Sequence, residues 1–209
     1  MAVKAEFVER FLNAGWSEAL SGFTYQSAGA VMHHQLEDFD GVAGTLARQF
    51  VALGHIPGER KSFSLYLHGP HGTGKTTLAC TMMREIILRY AMPSLFVSAL
   101  RLKDLYWSLS SSGDVAQLQF VNHRMAQAPL LVIDDVGVEN ATAGFVANLL
   151  AVIDIRYNMS MRTIFTSNFE LNMLREQLLK VSPGSGDSVV SRIAGMSIAA
   201  PMSGADKRL

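Results

Sequence analysis

Residues 69–76 read Gly-Pro-His-Gly-Thr-Gly-Lys-Thr and fit the phosphate-loop pattern G-x-x-x-x-G-K-[ST]. Gly69, Gly72 and Gly74 let a backbone turn tightly and approach a phosphate with no Cβ in the way. Pro70, His71 and Thr73 complete the loop, and Thr77 follows it. Successive N–H groups of such a loop point inward, at the positive end of the next helix. Lys75 can reach the β- and γ-phosphates of a nucleoside triphosphate, and the Thr76 hydroxyl can coordinate Mg²⁺. A glycine-rich strand-to-helix turn that binds nothing is the plainer reading. A second stretch weighs against it. Residues 130–135 read Leu-Leu-Val-Ile-Asp-Asp, an apolar run ending in two carboxylates. Asp134 suits a Mg²⁺ ligand, directly or through water. Asp135 suits a group that orients or deprotonates an attacking water. Alone, this stretch could be a strand running into an acidic turn, but the two motifs support one another.

Particular elements must hold these residues. Residues 63–67 alternate and are rich in strand formers, while Leu78, Met82, Ile86 and Tyr90 recur at steps of four over 77–90. Strand, glycine loop and helix is the context a phosphate loop needs. The apolar run at 130–135 suits a strand buried on both faces of a parallel sheet. Its acids would sit at the carboxyl end, where ligands bind in such sheets. Residues 94–100 predict a strand. Residues 101–127 predict a long helical stretch with Leu102, Leu105, Tyr106 and Leu109 on its apolar face and a break near 110–114. Then come a helix over 141–159, a strand over 162–168 ending in Thr-Ser-Asn, and a helix over 170–180. A mobile Ser/Gly/Pro loop over 181–187, a short helix over 188–194 and a last strand over 196–202 complete the pattern. This alternation implies an α/β fold with a doubly wound, five-stranded parallel sheet.

Upstream, Val3, Phe7, Val8, Phe11 and Leu12 share one face of a short amphipathic helix. It belongs to an appendage over residues 1–20, expected to pack on a main domain over 21–209. The loop over 22–30 carries Phe23 and Tyr25, which suit an adenine wall or the core equally well. A helix is expected from about 32 to 54, and a turn-rich connection over 54–61.

Composition narrows the class. Of 209 residues, 49% are hydrophobic, which suits a packed core. Lys plus Arg and Asp plus Glu are both 18, so no global basic field points to nucleic acid. Any such contact must come from a local patch or an assembled surface. Cys80 is the one cysteine, so no internal disulfide forms and a reducing compartment is the natural reading. No apolar run is long enough to span a membrane. These features read as a soluble, cytoplasmic protein. The histidines lack zinc-ligand spacing.

The phosphate loop, the Asp134-Asp135 strand end and the Thr166-Ser167-Asn168 strand end occur in the order of an AAA+ ATPase. More narrowly, residues 133–139, 153–157 and 163–168 resemble the DnaC/DnaI helicase loaders and the IstB transposition ATPases. Phe23 and Tyr25, Ser191-Arg192-Ile193 before the final strand, and the basic end Lys207-Arg208 are similar too. The resemblance implies an ATP- and Mg²⁺-dependent ATPase that loads or regulates a replicative ring helicase of the DnaB type. An IstB-like transposition ATPase, or a low-turnover module that binds a helicase or its loader, are the other roles it admits. It implies that Asn168 positions the attacking water beside Asp135. It implies that Arg192 is an arginine finger reaching a neighbour's ATP in a nucleotide-bound homo-oligomer. Arg156 would face that interface or join a salt bridge. The extra material at 101–127 corresponds to an insertion that lines a single-stranded DNA channel, with Arg101, Lys103 and Arg124 as candidate phosphate contacts. Three features depart from the wider pattern: Asp135 replaces a commoner Glu, no helical lid follows the last strand, and about twenty residues precede the core.

Overall fold

The computed structural model describes residues 34–53, 64–90, 92–137 and 141–204. The helix expected over 3–13, the loop with Phe23 and Tyr25, the connection over 54–61 and the basic end at Lys207-Arg208 lie outside the described residues. Five strands, β1 (Ser64–His68), β2 (Ser94–Ser98), β3 (Leu130–Asp134), β4 (Arg162–Ser167) and β5 (Ser197–Pro201), pair in parallel in the order β2-β3-β4-β1-β5. The strands β1 to β4 are buried almost throughout, which is why they read as unbroken apolar runs.

Alternate side chains leave opposite faces of the sheet. Leu65, Leu67, Val132 and Ile164 enter one core, under α1 (Gly41–Ala52) and α2 (Lys75–Tyr90). Tyr66, Leu131, Ile133 and Phe165 enter the other. That core lies beneath α3 (Ala99–Ser112), α4 (Val115–Gln127), α5 (Ala143–Asn158), α6 (Leu171–Val181) and α7 (Pro183–Met196). Two covered faces make the sheet doubly wound, as expected. No helix follows β5 among the described residues.

The break in the stretch over 101–127 falls where expected. Gly113 takes φ 72 at the end of α3, and the Asp114 carboxylate accepts the Gln117 N–H at 3.0 Å to start α4. A polar chain ties the pair to α5. Tyr106 donates to Asn122 Oδ1 at 2.5 Å, and Asn122 donates to Asn148 Oδ1 at 2.9 Å.

Three expectations need correction. The helix expected from 32 to 54 is instead a 3-10 turn (Leu36–Asp38) followed by α1, because Asp40 is extended and α1 starts at Gly41. Arg48 pins that turn back on α1, donating to the carbonyls of Leu36 and Phe39 at 3.1 and 3.0 Å. The loop expected over 181–187 is helical: only Ser182 separates α6 from α7. Pro183 starts α7, where its missing N–H costs nothing. Gly186 then packs so close that a Cβ there would lie 2.6 Å from the Leu178 carbonyl oxygen, and Arg175 pairs with Asp187 at 2.7 Å.

Arg156 is the third. It faces neither an interface nor a carboxylate. It is fully buried and donates to Thr163 Oγ1 (2.9 Å) and to the carbonyls of Met125 (2.9 Å), Ala126 (3.2 Å), Ala128 (2.8 Å) and Arg162 (2.5 Å). Those carbonyls close the end of α4 and the entry to β4. A guanidinium with its donors fixed in one plane suits such a set of acceptors. Burial draws its pKa down to about 9.

Candidate functional site

Strand order brings the chemistry together. β4 lies between β1 and β3, so the carboxyl ends of these three strands are neighbours. The phosphate loop leaves β1, the two acids end β3, and Thr166 and Ser167 end β4 just before Asn168.

Gly69 takes φ 146, and a Cβ there would lie 2.0 Å from the Met202 carbonyl oxygen, so the chain leaving β5 requires glycine at this point. The Met202 N–H donates to the His68 carbonyl at 2.7 Å, which fixes that approach. Gly74, with φ 88, delivers the chain into α2. Thr73 Oγ1 donates to the Pro70 carbonyl at 3.0 Å across the loop. Lys75 opens α2 and is buried, at 6% exposure, contrary to the exposed loop position its motif suggests. Its ammonium donates to the carbonyls of Gly69 and Pro70 at 2.8 and 2.7 Å.

Asp134 is the hub of the site. Thr76 Oγ1 donates to Asp134 Oδ1 at 2.9 Å, and Thr166 Oγ1 donates to the same oxygen at 2.6 Å. Burial pushes the Asp134 carboxyl above its usual range, while the Thr166 and Thr76 hydroxyls draw it part of the way back. A buried carboxylate beside a threonine hydroxyl at the mouth of a phosphate loop suits a small divalent cation held by oxygen.

Asp135 is exposed and has φ 56, a left-handed conformation that Asp tolerates better than most residues. Its N–H donates to Thr166 Oγ1 at 2.9 Å. Asp135 and Asn168 line one cleft of about 330 Å³ together with His71, Gly72, Gly74, Lys75, Thr76 and Thr77. The loop, the second acid and the polar residue after β4 therefore meet, as the sequence reading requires. His34 and Phe39 line the same cleft, with ring centroids 6.1 Å apart. Phe23 and Tyr25, which suit an adenine wall or the core, lie outside the described residues, and the sequence alone does not single out His34 and Phe39. The Asp-Gly helix start at 40–41, just after Phe39, was the available signal. Thr166, marked in the sequence only as part of the Thr-Ser-Asn strand end, stands opposite Asp134, as the register Ile133↔Phe165 requires.

Arg192 lies outside the cleft, on α7. Its Nε donates to Asp154 Oδ1 on α5 at 2.8 Å. Arg101 and Lys103 lie on α3 and Arg124 on α4. Lys103 sits 3.8 Å from Asp104 and is largely covered. Trp107 on α3 is 70% exposed, an aromatic surface the sequence reading did not single out.

The family described as "IstB-like ATP binding protein" matches residues 23–193. No curated protein sequence matches the chain. Among solved structures, DnaI shares 23% identity at a TM-score of 0.66, over 86% of this chain and 93% of that one. The DnaC helicase loader shares 23% identity at a TM-score of 0.67, over 83% and 99%. The replication initiator DnaA bound to AMPPCP and single-stranded DNA shares 21% at 0.63, over 82% and 50%. At these identities the likeness is one of fold alone.

Proposed function

The chain belongs to the IstB-like ATP-binding protein family, and from that premise we propose that it is an assembly-dependent ATPase that loads or regulates a replicative ring helicase on DNA. The observation that supports the ATPase reading best is the hydrogen-bonded line Thr76–Asp134–Thr166–Asp135 beside the phosphate loop.

In this reading the N–H groups of residues 69–77 cradle the phosphates, and the Lys75 ammonium turns from the Gly69 and Pro70 carbonyls to phosphate oxygens. Thr76 and Asp134 would hold Mg²⁺, which when bound supplies positive charge against the phosphates. His34 and Phe39 flank the base. Asp135 takes the proton of a water that Asn168 orients. The water oxygen forms a bond to the terminal phosphorus, the bond to the bridging oxygen breaks, and ADP and phosphate leave. Arg192 of a neighbouring copy stabilises the charge on the transferred group, so hydrolysis waits for assembly. Single-stranded DNA lies along α3 and α4. Arg101, Lys103 and Arg124 meet its phosphates, and Trp107 stacks on a base. The work is cytoplasmic and involves no membrane; no helix among the described residues is long and apolar enough to cross one.

The family match favours one second reading, an ATPase that assists a transposase. The test uses full-length Asp135→Asn, charged with ATP, as bait in the native host. Recovery of a ring helicase supports the first reading, and recovery of a transposase supports the second. Recovery of neither, with the bait assembled and nucleotide-bound, overturns both.

A further inference from the structure

The segment Ile153-Asp154-Ile155-Arg156-Tyr157 on α5 divides its labour between two faces. Arg156 turns inward to the carbonyl cluster. Asp154 and Tyr157, three residues apart and so neighbours on the helix surface, both meet Arg192 of α7. Arg192 Nε donates to Asp154 Oδ1 at 2.8 Å, with the two side chains 37% and 40% exposed. The Arg192 guanidinium carbon lies 5.8 Å from the centroid of the Tyr157 ring. The ring packs on α7 at Gly195, where a Cβ would lie 2.9 Å from Tyr157 Cε2 and push the ring aside. Asn158 donates to the other Asp154 oxygen at 3.3 Å.

We infer that Asp154 and Tyr157 are positioning residues that aim the Arg192 guanidinium at the nucleotide of a second copy of this chain. The inference rests on the reading of Arg192 as a residue that completes a neighbour's site. The mode of pairing supports aiming over sequestration. A carboxylate that locked an arginine away would take its fork with two parallel hydrogen bonds. Asp154 takes Nε alone. The two terminal nitrogens make no other hydrogen bond or ion pair among the described residues, which leaves the fork for phosphoryl oxygens. Restraint through Nε and through the ring also reduces the freedom the side chain loses on assembly.

The test is complementation in trans. An Arg192→Ala acceptor, with an intact phosphate loop, is mixed with an Asp135→Asn donor that keeps its arginine but cannot hydrolyse ATP. Asn tolerates the left-handed backbone at 135 as Asp does. The mixture regains hydrolysis. Adding Asp154→Ala to the donor lowers the rate of the mixture about 100-fold, the scale of a misplacement of roughly 1 Å. Co-assembly by sedimentation and acceptor affinity for ATP stay as before. Asp154→Asn in the donor, which keeps an acceptor for Nε, recovers most of the rate. Donors with and without Asp154→Ala that work equally well overturn the inference, and so does a donor that works better without Asp154, which would make the pair a latch. Loss of co-assembly by the Asp154→Ala donor also overturns it, since Asp154 would then hold subunits together. Failure of the parent mixture, while both proteins co-assemble, refutes the trans role of Arg192 itself.

Discussion

Thr166 donates to Asp134 Oδ1 and accepts the Asp135 N–H, so one hydroxyl fixes both acids. Asp134 is the buried acid of the site. Its pKa is raised by burial, so the folded chain holds this proton more tightly than the unfolded chain does. The stability linked to this group is therefore full below the unfolded pKa of about 3.9 and is lost as pH rises through the folded value. Asp134→Asn removes that loss and keeps an oxygen for both hydroxyls. Without nucleotide or Mg²⁺, its thermal midpoint is expected above wild type at about pH 7, and the gap closes as pH falls toward about 4. Hydrolysis is lost. A midpoint below wild type at neutral pH would contradict the account. Asp135→Asn is expected to leave stability within about 0.5 kcal/mol, as for a surface change, while abolishing turnover with ATP affinity retained. Calorimetry and a phosphate-release assay separate these outcomes.

Among the elements, the helices that failed to match expectation did so for local reasons. Residues 181–187 combine Ser, Pro and Gly, which read as loop chemistry. In place, Pro183 starts a helix and Gly186 admits the neighbouring turn at Leu178. Close approach between helices leaves no periodic signal in one sequence. The strands were legible because burial on both faces makes them continuous apolar runs, and the phosphate loop because its glycines and Lys75 recur at fixed spacing. Arg156 shows the limit: a charged residue reads as surface, yet here it serves α4 and β4 from within. Arg156→Ala would orphan several buried carbonyls at about 1–3 kcal/mol each. It is expected to cost at least about 3 kcal/mol in urea unfolding, and Arg156→Lys, without the planar fork, is expected to recover little. A loss under about 1 kcal/mol, the lower bound for a single orphaned carbonyl, would sink this role. On α3 and α4, Trp107→Ala is expected to weaken single-stranded DNA binding by about 1–3 kcal/mol. Neutralising Arg101, Lys103 and Arg124 together is expected to flatten the salt dependence, by about 0.7 in slope for each DNA phosphate left without its cation. An unchanged slope would mean that other residues meet the DNA.

The whole molecule is a doubly wound sheet whose central strand β4 brings loop, acids and Asn168 to one edge, with Arg192 outside the cleft on α7. In the proposed reading the cleft holds the nucleotide and the arginine comes from another copy, so ATP turnover is expected to rise with protein concentration. Everything in that account depends on the phosphate loop binding Mg²⁺-nucleotide. The most direct measurement is calorimetric titration of a non-hydrolysable ATP analogue with Mg²⁺ into the wild-type chain and Lys75→Ala. Thermal unfolding is recorded for both, because Lys75 is buried and bonded to the loop it serves. Hydrogen bonds to charged groups contribute about 1.5–3 kcal/mol, so the folded variant is expected to bind about 10- to 100-fold more weakly. A folded Lys75→Ala chain that binds with wild-type affinity would contradict the account.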